Sequence, residues 1–146
     1  MAKGLVKSSM GLRTIRRSLM HHKKKAREVM TTAYLSVPPD TTVETTIARL
    51  RAEAQNLEML HYIYIVNTEN VLQGVVSVRS LLAAQPWQPL TEIWRQRVIS
   101  VKPEANQKEI VELFAKYRLQ ALPVLDEGNH LKGVIHFQSV LDKLAP

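Results

Sequence analysis

The sequence predicts a two-layer α/β (α+β) fold in which one β-α-β-β-α unit is used twice about a pseudo-twofold axis. Three observations predict it. Residues 131–141 read LKGVIHFQSVL and residues 72–82 read LQGVVSVRSLL, near-copies at an offset of 59. Ser36-Val37-Pro38-Pro39 is matched by Ser100-Val101-Lys102-Pro103 at an offset of 64. At that second offset Ile47 pairs with Val111 and Leu50 with Phe114, both apolar at helical spacing. One excess of five residues in the first copy, near Asn56–Leu60, reconciles the offsets, so a single frame runs twice through the chain. Each unit carries one sheet with two helices on one face, and the second copy covers the face that the first leaves bare.

The elements follow in order. Leu35-Ser36-Val37 is apolar and β-prone, and Pro38-Pro39 stops it. Val43, Ile47, Leu50, Ala54 and Leu57 then recur as one stripe of an amphipathic helix, with cap residues in Asp40-Thr41-Thr42 and Glu44 in the first turn. YIYIV (62–66) and VLQGVVSV (71–78) flank the polar turn Asn67–Asn70 and pair as strands. In the second copy Asn106-x-x-Glu109 has the form of a capping box ahead of Ile110, Leu113, Phe114 and Tyr117. ALPVLD and LKGVIHF flank the turn Glu127-Gly128-Asn129. The expected organisation is a basic amphipathic segment over 1–28, repeat 1 over 29–82, a Pro-containing linker over 83–92 and repeat 2 over 93–146.

Composition bounds the function. The chain has 146 residues, 45% hydrophobic and 23% charged, with no cysteine, which removes disulfides and thiolate metal sites and fits a reducing compartment. No apolar run approaches the roughly 20 residues that span a bilayer, and the N-terminus lacks the apolar core of a secretory signal. The expectation is a cytoplasmic chain, or the cytosolic part of a larger membrane protein. The net charge of +7 belongs to the first segment: residues 1–28 hold nine Lys/Arg against Glu28, while the rest is near neutral. Within that segment Leu5, Leu12, Ile15 and Leu19 recur at helical spacing among Lys7, Arg13, Arg16 and Arg17. Such a basic helix binds nucleic acid or an anionic membrane, or it packs on the rest of the molecule with its charges in water. No paired carboxylates, nucleophile–base pair or phosphate loop is present, so no enzyme activity is expected.

The motifs REVMT (27–31), the paired SVxP, ALPVLD (121–126) and the paired GVVSVRSLL and GVIHFQSVL together resemble a CBS-domain pair. The resemblance covers Arg27 to Leu144, and YIYIVN with the spacing to SVRSLL is most similar to the cytosolic CBS region of MgtE-type magnesium transporters. It implies a non-catalytic regulatory module that senses a ligand, in many members an adenosine nucleotide (AMP, ADP or ATP), with magnesium as a second ligand. The implied partners are a second copy of the chain, as a homodimer, and an attached or associated transporter of divalent cations. The alternative is a dimeric scaffold whose basic segment holds an anionic partner.

Carried over residue by residue, the resemblance implies two clefts. One has Tyr34, Leu35, Tyr62, Tyr64, Ser77, Arg79 and Ser80; the other has Val98, Ile99, Leu122, Pro123, His136, Gln138 and Ser139. In the family motif a Gly is followed by a Thr or Ser and then an Asp that receives the ribose hydroxyls. Here those positions read Gly74, Ser77, Ser80 and Gly133, His136, Ser139, so both copies lack the carboxylate. A charge-assisted bond contributes roughly 1.5–3 kcal/mol against about 1 for a neutral one, so its loss weakens a nucleotide by about tenfold or more.

Each residue also has a plainer reading. Arg79 is equally at home in solvent at a helix start, Tyr62 and Tyr64 as core or dimer-face rings, and His136 as a half-buried strand-end histidine. His21-His22 lacks the spacing of a metal site, and the acids of the repeats form no dense cluster in the sequence; no metal ligand is assigned.

Overall fold

The computed structural model describes residues 24–57 and 59–144. The chain runs α1 (Ala26–Val29), β1 (Ser36–Val37), α2 (Val43–Glu53), β2 (Tyr62–Val66), β3 (Leu72–Ser77), α3 (Val78–Ala83), α4 (Gln107–Tyr117), β4 (Ala121–Leu125), β5 (Leu131–His136) and α5 (Phe137–Leu144). Short 3₁₀ turns occupy Ala54–Asn56 and Leu90–Glu92. Two sheets result, a mixed one of order β1-β2-β3 and an antiparallel pair β4-β5. The repeat-2 counterpart of β1 is reduced to a single parallel bridge, Val101 to Val124.

Helix starts follow the sequence. Thr42 caps α2, its hydroxyl accepting from the Thr45 N–H (3.2 Å), and Asn106 caps α4, accepting from the Glu109 N–H (2.9 Å). The expected stripe of α2 is shortened at its end. The helix stops at Glu53, a 3₁₀ turn follows, Ala54 is exposed, and Leu57 packs on the repeat-1 core from beyond the helix. The five extra residues of the first copy begin in that turn and run on into the approach to β2.

Three apolar clusters hold the molecule. One lies within repeat 1 around Leu35, Val43, Ile63, Ile65 and Leu81, and one within repeat 2 around Ile110, Phe114, Leu122, Val124 and Ile135. The third lies between the copies, joining Tyr64 to Ala121, Leu125, Leu131 and Val134. The linker is not a free tether: the Gln88 and Pro86 carbonyls accept from the Val43 and Glu44 N–H groups and cover the N-terminus of α2.

The copies are joined by matched pairs of backbone bonds. The Leu72 N–H donates to the Asn129 carbonyl and the Leu131 N–H to the Asn70 carbonyl, both at 3.0 Å. Each copy also lends its leading segment to the other. Thr31, at the start of repeat 1, exchanges both bonds with Val134 of β5 (2.8 and 2.9 Å). Arg95, at the start of repeat 2, exchanges both bonds with Val75 of β3 (2.8 and 2.9 Å). The two offsets of the sequence, 64 and 59, are therefore the same symmetry seen in the backbone.

Candidate functional site

β3 ends at Ser77, and Ser77 caps α3. Its hydroxyl accepts from the Ser80 N–H (3.0 Å) and donates to the Ser80 hydroxyl (2.9 Å), which leaves Arg79 exposed on the first turn. Across from it the lent segment Ile93–Arg95 runs along the β3 edge. Gly74 makes that approach feasible, because a Cβ there would stand 2.5 Å from the Trp94 ring and 3.2 Å from the Arg95 carbonyl oxygen. Ser77, Arg79, Ser80, Trp94, Arg95, His61 and Gln120 thereby line an open cleft.

Through Tyr62, Val75 and Arg95 this cleft adjoins a smaller pocket. Its walls are Tyr64, Val98, Ile99, Leu119, Ala121 and Pro123, with Arg97 at the side. Tyr62 and Tyr64 of repeat 1 occupy the positions that Ala121 and Pro123 occupy in repeat 2. Two large rings therefore face two small residues, and the space between them is the pocket. The Tyr64 ring stands edge-on to Tyr34, with centroids 6.0 Å apart. Tyr64 is only 2% exposed, and its hydroxyl has no hydrogen-bond partner among the described residues. Burial, reinforced by the neighbouring Tyr62 and Tyr34 phenols, pushes its pKa far above the usual phenol value, so it stays a neutral donor.

Pro123 also changes the backbone pairing beside this pocket. In repeat 1 the Tyr64 N–H donates to the Leu35 carbonyl (3.0 Å). The counterpart pair is Pro123 and Ile99, and proline has no N–H to give. The Ile99 carbonyl, beside the same pocket, therefore goes without that bond. No Asp or Glu lines either cavity, while Arg79, Arg95 and Arg97 do. An apolar slot that opens onto an uncompensated cationic cleft suits a planar base carrying an anionic group.

The structure groups the sequence-predicted residues differently from the expectation. Tyr62, Ser77, Arg79 and Ser80 do come together. Leu35 does not join them: it is fully buried in the repeat-1 core, and Tyr34 packs against Tyr64. Val98, Ile99 and Pro123, expected in the other cleft, meet Tyr62 and Tyr64, because the leading segment of repeat 2 runs along repeat 1 and β4 closes the far side. Leu122 is fully buried in the repeat-2 core.

His136 is 7% exposed and its ring faces His61, 6.2 Å between centroids. Gln138 is exposed and donates to Asp142 (3.1 Å), and Ser139 is half-buried. This second half therefore has Gln138 and Thr31 where the first has Arg79 and Arg95, and it carries no equivalent cationic pair. Sequence reasoning missed Trp94, Arg95, Arg97 and Gln120. Their signal was the offset of 64 that places Met30-Thr31 opposite Trp94-Arg95, a match without residue identity.

Among the described residues no three His, Asp or Glu side chains gather into a group that could hold a metal, and no helix is long and apolar enough to cross a membrane. His21-His22 and the basic amphipathic segment, apart from Lys24 to Glu28, lie outside the described residues.

The decisive comparison is with family models: the CBS domain matches twice, over residues 26–86 and 93–146. The chain belongs to the CBS-domain family. It is a CBS pair similar to the magnesium transporter MgtE of Thermus thermophilus, 36% identical over 124 residues, 85% of this chain and 28% of that one. It is also similar to the MgtE of Bacillus subtilis, 31% identical over 117 residues. The chain thus spans little more than a quarter of the curated transporters it matches. Among solved structures it is similar to the cytosolic domain of the Mg2+ channel MgtE in complex with ATP. That likeness has a TM-score of 0.80 at 30% identity and covers 96% of this chain and 61% of that one.

Proposed function

We propose that this CBS pair is a non-catalytic regulatory module that binds an adenosine nucleotide in the cleft between Ser77–Ser80 and Trp94–Arg95, and thereby regulates divalent-cation transport by a partner domain. The observation that carries the reading is the acid-free meeting of Arg79, Arg95 and Arg97 with an apolar slot walled by Tyr62 and Tyr64 on one side and Ala121 and Pro123 on the other. The base enters between Tyr62 and the Val98–Ile99 segment, and the phosphates lie towards Arg79 and Arg95. The likeness to an MgtE cytosolic domain in complex with ATP supports the ligand class, and the likeness to MgtE transporters supports the partner. In this reading the module is a homodimer at the cytosolic face of a membrane. Because each cleft is walled by both copies, a bound nucleotide biases their relative arrangement, a coupling free energy between two states of the module.

The test is thermal unfolding of the chain with millimolar AMP, ADP or ATP, each with and without magnesium. At about 100 times its dissociation constant a ligand adds roughly 2.7 kcal/mol, a rise of several degrees. A rise with at least one nucleotide that Arg79→Ala reduces is the expected result. Unchanged melting with all three refutes the nucleotide reading.

A further inference from the structure

We infer that the cleft takes up a proton together with its anionic ligand: His61 becomes an imidazolium as phosphate enters, so that occupancy responds to pH as well as to nucleotide. The inference rests on the nucleotide reading above, through its anionic half, and adds a regulation of the same site.

The placement of His61 carries it. It stands just ahead of β2 and lines the cleft with Arg79 and Arg95, beside Ser77 and Gln120. Its carbonyl accepts from the Val78 N–H at the first residue of α3 (3.0 Å), which ties it to the helix that carries Arg79. Its ring faces His136 of β5, from the other copy, with centroids 6.2 Å apart, and Tyr62 of its own strand at 6.4 Å. The charged and titratable groups around it are thus Arg79 from α3, Arg95 from the leading segment of repeat 2, His136 from β5 and the Tyr62 phenol. No Asp or Glu lines the cleft.

Charge then sets what the imidazole does. Imidazole is the side chain that changes charge between about pH 5 and 8. In the empty cleft it has two guanidiniums and no carboxylate for company, so a third positive charge is opposed by its neighbours. A phosphate chain reverses that balance, because it brings negative charge to the same wall and favours the protonated ring. The ring then donates a charge-assisted hydrogen bond, about twice as strong as a neutral one. Proton and anion are therefore positively coupled, each raising the affinity for the other by the same factor. Because the bound state holds the extra proton, anion affinity rises as pH falls and is lost as pH rises through the imidazole range.

The proton goes to His61 rather than to His136. His136 is 7% exposed, where burial penalises a charge, whereas His61 is half-buried at the cleft wall. A second charge 6.2 Å away would be opposed by the first, so uptake is limited to about one proton. Repeat 2 has Gln120 at the position of His61, so this proton site exists once per chain.

The experiment is calorimetric titration of the whole chain with ATP and with inorganic tripolyphosphate, in two buffers of different ionisation enthalpy, on the native protein, His61→Gln and His61→Lys. The dependence of the heat on the buffer counts the protons taken up. Phosphate itself titrates at about pH 6, so the readout is the difference between native and variant. The native chain should take up more protons than His61→Gln with either ligand at neutral pH. Between about pH 8 and about pH 6 its affinity should gain about tenfold more than that of His61→Gln. His61→Lys, charged throughout, should bind both ligands without the extra uptake. A histidine that merely packs would change affinity by one factor at every pH. If ATP binds and the native chain takes up no more protons than His61→Gln, the inference fails while the nucleotide reading stands. If tripolyphosphate binds with uptake that needs His61 and ATP does not bind, the proton coupling stands and the nucleotide reading fails. If neither binds, both fail.

Discussion

Asn70 and Asn129 stand at positive φ, 66° and 65°, at the two turns where the copies meet. Asparagine tolerates this left-handed conformation better than other side-chain-bearing residues, which is why the turn chemistry was legible in the sequence. The two are not equal in the fold. Asn70 also donates from its Nδ2 to the Leu131 carbonyl across the junction (2.8 Å). Asn70→Ala is therefore expected to cost about 2 kcal/mol, combining the backbone strain with a lost hydrogen bond, and Asn129→Ala about half as much. Chemical denaturation of both variants checks the order.

Asp126 closes the second turn by accepting from the Gly128 N–H (3.0 Å) and the His130 N–H (2.9 Å), and its carboxylate also meets the His130 ring. The His130 backbone N–H is the chief reason that its carboxyl titrates below the ordinary value of 3.8. A depressed folded-state pKa stabilises the fold above the unfolded value, and that support is lost as pH falls through the folded one. Asp126→Asn should thus flatten the fall of melting temperature on the acid side of 3.8, which a pH series of melts reads. What the sequence concealed at this scale is Ser80. In the fold its hydroxyl accepts from the Ser77 hydroxyl, a bond between neighbours that no pattern of residue types announces.

Among the elements, strands and helix starts were legible because their causes are local. Thr42 and Asn106 cap through their own side chains, and alternation or apolar runs mark β2 to β5. The lent segments were not legible. A pairing of one residue, such as Thr31 with Val134 or Arg95 with Val75, leaves no periodic trace, and the partner lies in the other copy. The glycines were its indirect sign. A Cβ at Gly133 would stand 2.6 Å from the Met30 sulfur, just as one at Gly74 would meet Trp94, so each glycine makes room for the segment that the other copy's side lends. Gly74→Ala is expected to destabilise the fold by about 1–3 kcal/mol through overpacking and to weaken any ligand of the adjoining cleft. Trp94→Ala in the same chain should relieve part of the cost, and a double-mutant cycle of unfolding free energies measures it.

The whole molecule is the level at which the repeat matters most. Pseudo-symmetry and two-layer packing were legible from the two offsets, but not the fact that neither copy is complete. β3 needs Arg95 and β5 needs Thr31, and the third cluster exists only between the copies. Residues 29–92 made alone should therefore fold only by pairing with a second such fragment, giving a melting temperature that rises with concentration. A cooperative transition independent of concentration would contradict this. The expected clefts kept each copy's residues together, whereas the cavities draw on both copies, and a reading of one copy at a time cannot find a cavity that the copies build jointly.

The contrast of Tyr62 and Tyr64 with Ala121 and Pro123 also says something about ancestry. Two identical half-chains assembled about a true twofold axis would have to put the same residue on both sides of that axis. Tyrosine would then crowd tyrosine, or proline would face proline across an overlarge gap. In one polypeptide the two sides are free to differ, one serving as the wall and the other as the space. Joining the halves thus gave mutation a freedom that symmetry withholds, and the slot between these four positions records its use.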